Sequence, residues 1–287
     1  MEGNHTNMTA QNEKVVPSLV LIVGIASVIF NGALLIVMIF NSRQVFASLG
    51  SYFIFNLAIA DFITGVNSIV HAVEQLLPPS AFSIQAKMAL LTIFWITVQV
   101  SFFTIFVMST ERLVAVVFPF KAAGIMSKKK TTIYCIAVWI ISIVCGSLIN
   151  TKTEKVQLGL TIIFELVIVC IVIEYFQVFR QLRVLWQSSK TRAVYNGHNN
   201  NEAKPMKNTK TTDLQREYEV TIVVVTLAVV LVITVFPYMI AIQIEICYYL
   251  FREQLPLSHP VVKFSLYYFP IELLNFVVNP VVYAWRL

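Results

Sequence analysis

The sequence predicts an all-α membrane protein, a bundle of seven transmembrane helices with its N-terminus extracellular. Three observations carry that expectation. The 287 residues are 57% hydrophobic and only 13% charged, with a mean hydropathy of +0.76. A soluble domain carries roughly 25% charged residues, so the apolar excess is expected to face lipid. Seven stretches reach the length of about 20 residues that a helix needs to cross the hydrocarbon. Lys and Arg concentrate in alternate connections, which sets an orientation.

Residues 1–14 are polar and are expected to form an extracellular N-terminal segment. They hold two sequons, Asn4-His5-Thr6 and Asn7-Met8-Thr9, which are glycosylation acceptors in an outside segment. The seven-helix domain is expected over 15–287. Span one, Val15 to Ser42, has no acid or base and is too long for a cleavable signal core, so it is expected to act as its own signal. Span two, Gln44 to Val73, carries Asp61, and Pro78-Pro79 breaks the chain after it. Spans three (Met88 to Thr110) and four (Thr131 to Thr151) are uncharged. Asn150 to Lys155 is the whole link to span five, Val156 to Gln177, which carries Glu165 and Glu174. Residues 188–213 are rich in Asn, Lys and Thr and read as a flexible inner loop. Span six, Val220 to Ile244, is uncharged, and span seven, Phe264 to Trp285, carries Glu272.

With the N-terminus outside, fourteen of the twenty-one Lys and Arg lie on the inner side and six lie outside, with Arg112 at the inner boundary of span three. The net charge of +6 then reflects a cytoplasmic excess beside anionic lipid. No nucleic-acid motif is present. No nucleophile–base arrangement, phosphate loop or metal-ligand spacing points to an enzyme. The two halves show no repeat, which argues against an inverted-repeat transporter. Cys135, Cys145, Cys170 and Cys247 read as buried small hydrophobes rather than a disulfide set.

An ionised group at the centre of a spanning helix costs about 2.5–3.5 kcal/mol, so Asp61 is expected to face the bundle interior. It reads either as a polar group that joins helices or as an ion or proton site. Ser101 lies midway along span three. Asn275 and Asn279 are four residues apart on span seven and share a face, which Glu272 extends outward. Asn31 adds a polar group in span one. Asp61, Ser101, Asn275 and Asn279 together offer oxygens to a small hard cation such as sodium.

Taken in order, one or more motifs fall on each span. They are Asn31-Gly32, Asn56-Leu57-Ala58-x-Ala60-Asp61, Glu111-Arg112-Leu113 with Phe118-Pro119-Phe120, Trp139, Tyr175, Phe236-Pro237-Tyr238 and Asn279-Pro280-x-x-Tyr283. This series resembles the signatures of rhodopsin-like G-protein-coupled receptors over essentially the whole chain. The resemblance implies a plasma-membrane receptor that transmits an extracellular ligand to a heterotrimeric G protein. It implies that Arg112 engages the G protein, that Glu111 is its acidic neighbour, and that Glu217 at the base of span six holds it at rest. Tyr175 and Tyr283 would swing inward on activation, and Pro237 would be the kink on which span six pivots, with Asn279 and Pro280 as the matching motif of span seven. Asp61, Ser101, Asn275 and Asn279 match the family's sodium pocket, and no other cofactor is implied.

The departures from the pattern are informative. Lys87 stands where the family has a cysteine at the outer end of span three, and the link between spans four and five has no cysteine, so no disulfide-held lid is expected. Val235 and Leu231 replace the family's tryptophan and phenylalanine before the span-six proline, Leu113 replaces a tyrosine, and span five lacks its proline. A second reading is therefore a degenerate receptor that binds ligand or dimerises but couples poorly. A third is an ion transporter or channel through Asp61, Glu165 and Glu272.

Phe94 replaces the aspartate of amine receptors and Leu273 the lysine of opsins, so the ligand is expected to be neither aminergic nor retinal. The lidless outer face and missing proline resemble melanocortin receptors, and cannabinoid and lysophospholipid receptors share some of these traits. The expected pocket is apolar and aromatic. Phe94, Trp95, Val98, Tyr238, Met239, Ile242 and Phe269 form it, with His71, Glu74, Gln99 and Glu272 as polar groups.

Overall fold

The computed structural model describes residues 2–78, 80–118, 122, 124–149, 153–199, 222–223, 225–251, 255–256 and 258–286. Among the described residues all regular structure is helical. Seven helices are long and apolar enough to cross a membrane: Lys14–Phe40, Gly50–Leu76, Ile84–Val117, Lys128–Leu148, Glu154–Val184, Val225–Phe251 and Pro260–Ala284, here spans one to seven. Inside hydrocarbon the backbone finds no water, and a helix satisfies its own N–H and C=O groups.

Local chemistry sets several ends. Ser83 is extended and its hydroxyl accepts from Ala86 N at 3.2 Å, which caps span three. Span two stops at Leu76, and Leu77 takes an extended conformation before Pro78, since a residue preceding proline avoids the helical region.

Two helices run beyond their spanning stretches. The first helix runs Glu2–Phe40, so its backbone is helical from Glu2 onward, Asn4 and Asn7 included, while the stretch long and apolar enough to span begins at Lys14. The fifth helix runs Glu154–Asn199, so residues 188–199 of the expected loop are helical, and 200–213 lie outside the described residues. Extending an existing helix needs no new nucleus, so polar composition alone does not end it.

The spans close into a ring. Span one packs on two and seven, two on three, three on four and five, five on six, and six on seven. Spans two and three are the most enclosed. One core cluster joins Phe53 and Leu57 of span two, Ile105 of three, Ile171 of five, Leu227 of six and Tyr283 of seven. Ile29, Ile140, Phe176 and Ile233 point outward and are exposed, as lipid-facing residues are. All four cysteines are free thiols, but they are not buried: Cys170 is exposed and the other three are half-buried. Cys135 packs against the central cluster, as a small apolar group can.

Glycine permits the tightest crossing. A Cβ at Gly146 of span four would stand 2.5 Å from Ile96 Cγ1 and 3.0 Å from Ile96 N. Part of that clash is with backbone, so the two helices touch main chain to side. Gly146→Ala is expected to lower stability by about 1–3 kcal/mol, the usual cost of overpacking. Thermal unfolding of the purified protein measures it. Ile96→Ala should restore only part of the loss, because the backbone nitrogen remains; full restoration would show that the side chain alone sets the spacing.

Candidate functional site

A buried polar seam runs through the middle of the bundle. Asp61 is fully buried, and Asn279 Nδ2 donates to its Oδ2 at 2.7 Å. Ser27 donates its hydroxyl to the Asp61 carbonyl at 3.0 Å, tying span one to span two. Asn31 Nδ2 donates to the Phe276 carbonyl at 2.9 Å. Phe276 lies four residues before Pro280, whose missing N–H leaves that carbonyl without its helical partner. Asn56 donates to Thr104 Oγ1 at 2.8 Å and accepts from Trp139 Nε1 at 2.8 Å, which joins spans two, three and four.

Besides Asn31 Oδ1, four oxygens around the Asp61 carboxyl have no hydrogen-bond partner: Asp61 Oδ1, Ser101 Oγ, Asn275 Oδ1 and Asn279 Oδ1. Their residues are all at most 2% exposed. The Ser101 hydroxyl faces the Asp61 carboxylate without meeting hydrogen-bond geometry. A buried carboxylate beside surplus neutral acceptors lacks a positive partner, and oxygen-only donors of this kind suit a hard cation.

At the far end of span three, Arg112 Nε and Nη2 both reach the Glu111 carboxylate at 2.5 Å, a two-pronged pair on adjacent residues. Ser109 and Thr110, one turn earlier, both donate to Glu174 of span five, the Thr110 bond measuring 2.9 Å. Tyr175 is buried next to this group and within electrostatic reach of Arg112. The Tyr283 hydroxyl contacts Met108 Sδ at 3.8 Å. Glu217, expected to hold Arg112, lies outside the described residues, as do Pro119 and Phe120. Sequence reasoning missed the role of Glu174. Its signal is an acid directly before Tyr175 facing a Ser-Thr pair directly before Glu111-Arg112.

The bond that Pro237 cannot make is replaced from span seven. Val235 N still bonds Leu231 O at 2.9 Å and Met239 N bonds Val235 O at 3.0 Å. Ile233, four residues before Pro237, would be left with an open carbonyl. The Tyr268 hydroxyl donates to it at 2.7 Å. Nothing in the sequence alone marks Tyr268 among its aromatic neighbours.

At the end of the bundle where span one begins, a cavity of about 490 Å3 is lined by His71, Glu74, Phe94, Trp95, Tyr238 and Phe269, all expected, and by Lys87, Gln75 and Ser265 among others. A second cavity of about 420 Å3, between spans three, five and six, takes in Met239 and Ile242 and again Trp95. Val98, Gln99 and Glu272 line neither. They sit about one helical turn deeper, under a floor in which the Phe269 ring meets Phe94 at 5.7 Å and Tyr238 at 5.8 Å between centroids. Lys87 was not among the expected pocket residues, yet its Nζ stands 2.6 Å from Glu74 Oε1.

The model of the 7 transmembrane receptor (rhodopsin family) matches residues 31–157. Over that part, the chain is similar to the rhodopsin family of seven-transmembrane receptors. The matched part holds Asp61, Ser101 and Arg112, and the seven-span architecture carries on beyond it. No curated protein matches the chain. With seven helices of spanning length, it is a multi-pass membrane protein.

The Tyr268 bond gives a test of the span-six kink. Tyr268→Phe leaves the Ile233 carbonyl unpaired and is expected to cost about 1–3 kcal/mol. With Pro237→Ala already in place, the restored N–H takes that carbonyl and the cost should fall towards zero. A double-mutant cycle followed by thermal unfolding reads the difference. An equal cost in both backgrounds would break the link between the hydroxyl and the proline.

Proposed function

We propose that this chain is a rhodopsin-family receptor that carries an extracellular ligand signal to a heterotrimeric G protein at the plasma membrane. In this reading the N-terminus, with Asn4 and Asn7, is outside, and the Arg112 end of the bundle is cytoplasmic. The observation that carries it is the group around Arg112. A guanidinium is held by its own neighbour Glu111, with Glu174, Tyr175 and Tyr283 packed close by. An arginine whose carboxylate partner is its own chain neighbour can turn to a new partner once that acid is withdrawn. In this reading Glu217, which precedes span six in the sequence, supplies a second restraint that a swing of that span releases. Leu231 and Val235, where the family has aromatic residues, are buried in the same core cluster as Tyr283 and Phe102, so the pivot region is filled with smaller groups. That supports a working core rather than a degenerate one.

Two outcomes follow at the cytoplasmic end. Glu217→Ala should raise basal nucleotide exchange on a promiscuous G protein, and Arg112→Ala should abolish it, at matched surface expression. Unchanged exchange in a well-expressed Glu217→Ala receptor would sink the restraint.

The four unpartnered oxygens fit a sodium ion held by Asp61, Ser101, Asn275 and Asn279. Bound there, the ion supplies a positive charge to the buried carboxylate and favours the arrangement in which spans two, three and seven stay together. Asp61 accepts from Asn279 in that same arrangement, which keeps the carboxylate oriented. A ligand that binds one state alone stabilises it by mass action. Replacing choline by sodium at constant ionic strength should therefore raise the melting temperature, and Asp61→Asn should remove the rise. Equal stabilisation by sodium in both proteins would place the ion elsewhere.

A further inference from the structure

The two cavities at the outer end differ in chemistry and share a wall. The first opens among spans one, two, three, six and seven, and its lining contains an acid, a base and an imidazole: Glu74, Lys87 and His71. The second, lined by Ile84, Met88, Leu160, Phe164, Ile242 and Ile246 among others, has only Gln157 and Thr161 as polar members. Leu91 and Trp95 line both. One chamber therefore offers a polar mouth over an aromatic floor. The other offers an apolar sleeve reached past the Trp95 indole.

The polar mouth is already neutral in sum. Lys87 Nζ lies on Glu74 Oε1 at 2.6 Å. Gln75 Nε2 lies 2.9 Å from His71 Nε2, so the amide donates and that ring nitrogen accepts. The ring proton then sits on Nδ1, which points at Glu74 Oε2 from 3.6 Å. The imidazole is uncharged in this chain of contacts. Glu245 stands behind the wall, taking the Ser265 hydroxyl at 2.5 Å, and does not line the cavity. A ligand with a lone positive charge would have to displace Lys87, and a lone negative charge would strip Lys87 from Glu74. Either leaves one charge of a partly enclosed pair without its partner, which is unfavourable. An uncharged head bonds around the pair, and a zwitterionic head replaces both halves of it.

We infer that the two chambers form one site for an amphiphile of zero net charge, whose head lies at the Glu74–Lys87 pair and whose apolar chain passes Trp95 into the space between spans three, five and six. Together the volumes suit a ligand of drug or lipid size. The inference rests on the receptor reading, because it names what that receptor's outer cavity takes.

The test uses the full chain in nanodiscs and four probes with one myristoyl-length chain: monomyristoylglycerol, myristoyl-lysophosphocholine, myristate and tetradecyltrimethylammonium. Affinity is read from thermal stabilisation against probe concentration. The uncharged and zwitterionic probes should bind at least about tenfold tighter than either ion. Lys87→Met should shift preference to the cationic probe, and Glu74→Gln to the anionic one. Thr161→Trp and, independently, Ile246→Trp should weaken the long-chain probes about tenfold while sparing a butyryl glycerol ester. Equal binding of all four heads, or unchanged preference in both charge variants, would overturn the assignment of the head. Long-chain affinity untouched by both tryptophan variants would overturn the assignment of the chain. Basal nucleotide exchange lost in Arg112→Ala alongside a failed probe panel would leave the receptor reading standing and this one refuted. A panel that succeeds where exchange shows no dependence on Arg112 would do the reverse.

Discussion

A polar group inside this bundle has to find its partner within the protein, because the hydrocarbon around it supplies none. The two prolines that interrupt spans six and seven make that constraint concrete. Pro280 opens the carbonyl of Phe276 and Asn31 of span one fills it; Pro237 opens the carbonyl of Ile233 and Tyr268 of span seven fills it. A proline that weakens one helix thus fastens it to the next. The one–seven and six–seven contacts of the ring are each marked by one of these bonds.

Span three connects the chemistry at the two ends. Trp95 and Lys87 line the cavity at the end where span one begins, Ser101 faces Asp61, and Arg112 ends the same helix. Thr97 and Thr104 bond span two at Thr64 and Asn56 on the way. A rigid helix so anchored does not itself offer two arrangements, and coupling between ends needs an element that does. In the signalling reading proposed above, span six is that element. Its Phe236–Phe251 part packs on five and seven, while Leu227 and Leu231 meet span three through the central cluster. One of its helical bonds is already replaced by a side-chain hydroxyl, so it has less to break when it moves.

Much of this was legible in the chain. Seven apolar stretches of spanning length, separated by short connections, leave few folds other than a seven-helix bundle. Asn31, Asp61, Asn275 and Asn279 stood out because polar residues are conspicuous in an apolar background, and the structure buries all four. Where the polar background rises, legibility fell. The helix of span five runs on through Asn199 because local composition there is polar yet compatible with helix. Pocket membership was also partly hidden. Val98, Gln99 and Glu272 share faces with true lining residues but lie one turn deeper, and helical period gives the face without the depth. Tyr268, Glu174 and Lys87 matter through partners on other spans, a relation that no single segment displays.

The replacements at Leu231 and Val235 acquire a physical meaning beside Tyr268. A large aromatic ring before the proline would brace span six by packing, filling space between it and spans three and seven. Here the corresponding positions are small and aliphatic, and both are buried in the central cluster. Dispersion from such side chains is non-directional and survives a small rotation of the helix. The Tyr268 hydroxyl bond does not, because a hydrogen bond weakens steeply as its angle closes. The directional restraint on span six therefore lies at its contact with span seven. Rotation about Pro237 would first be felt at the Ile233 carbonyl.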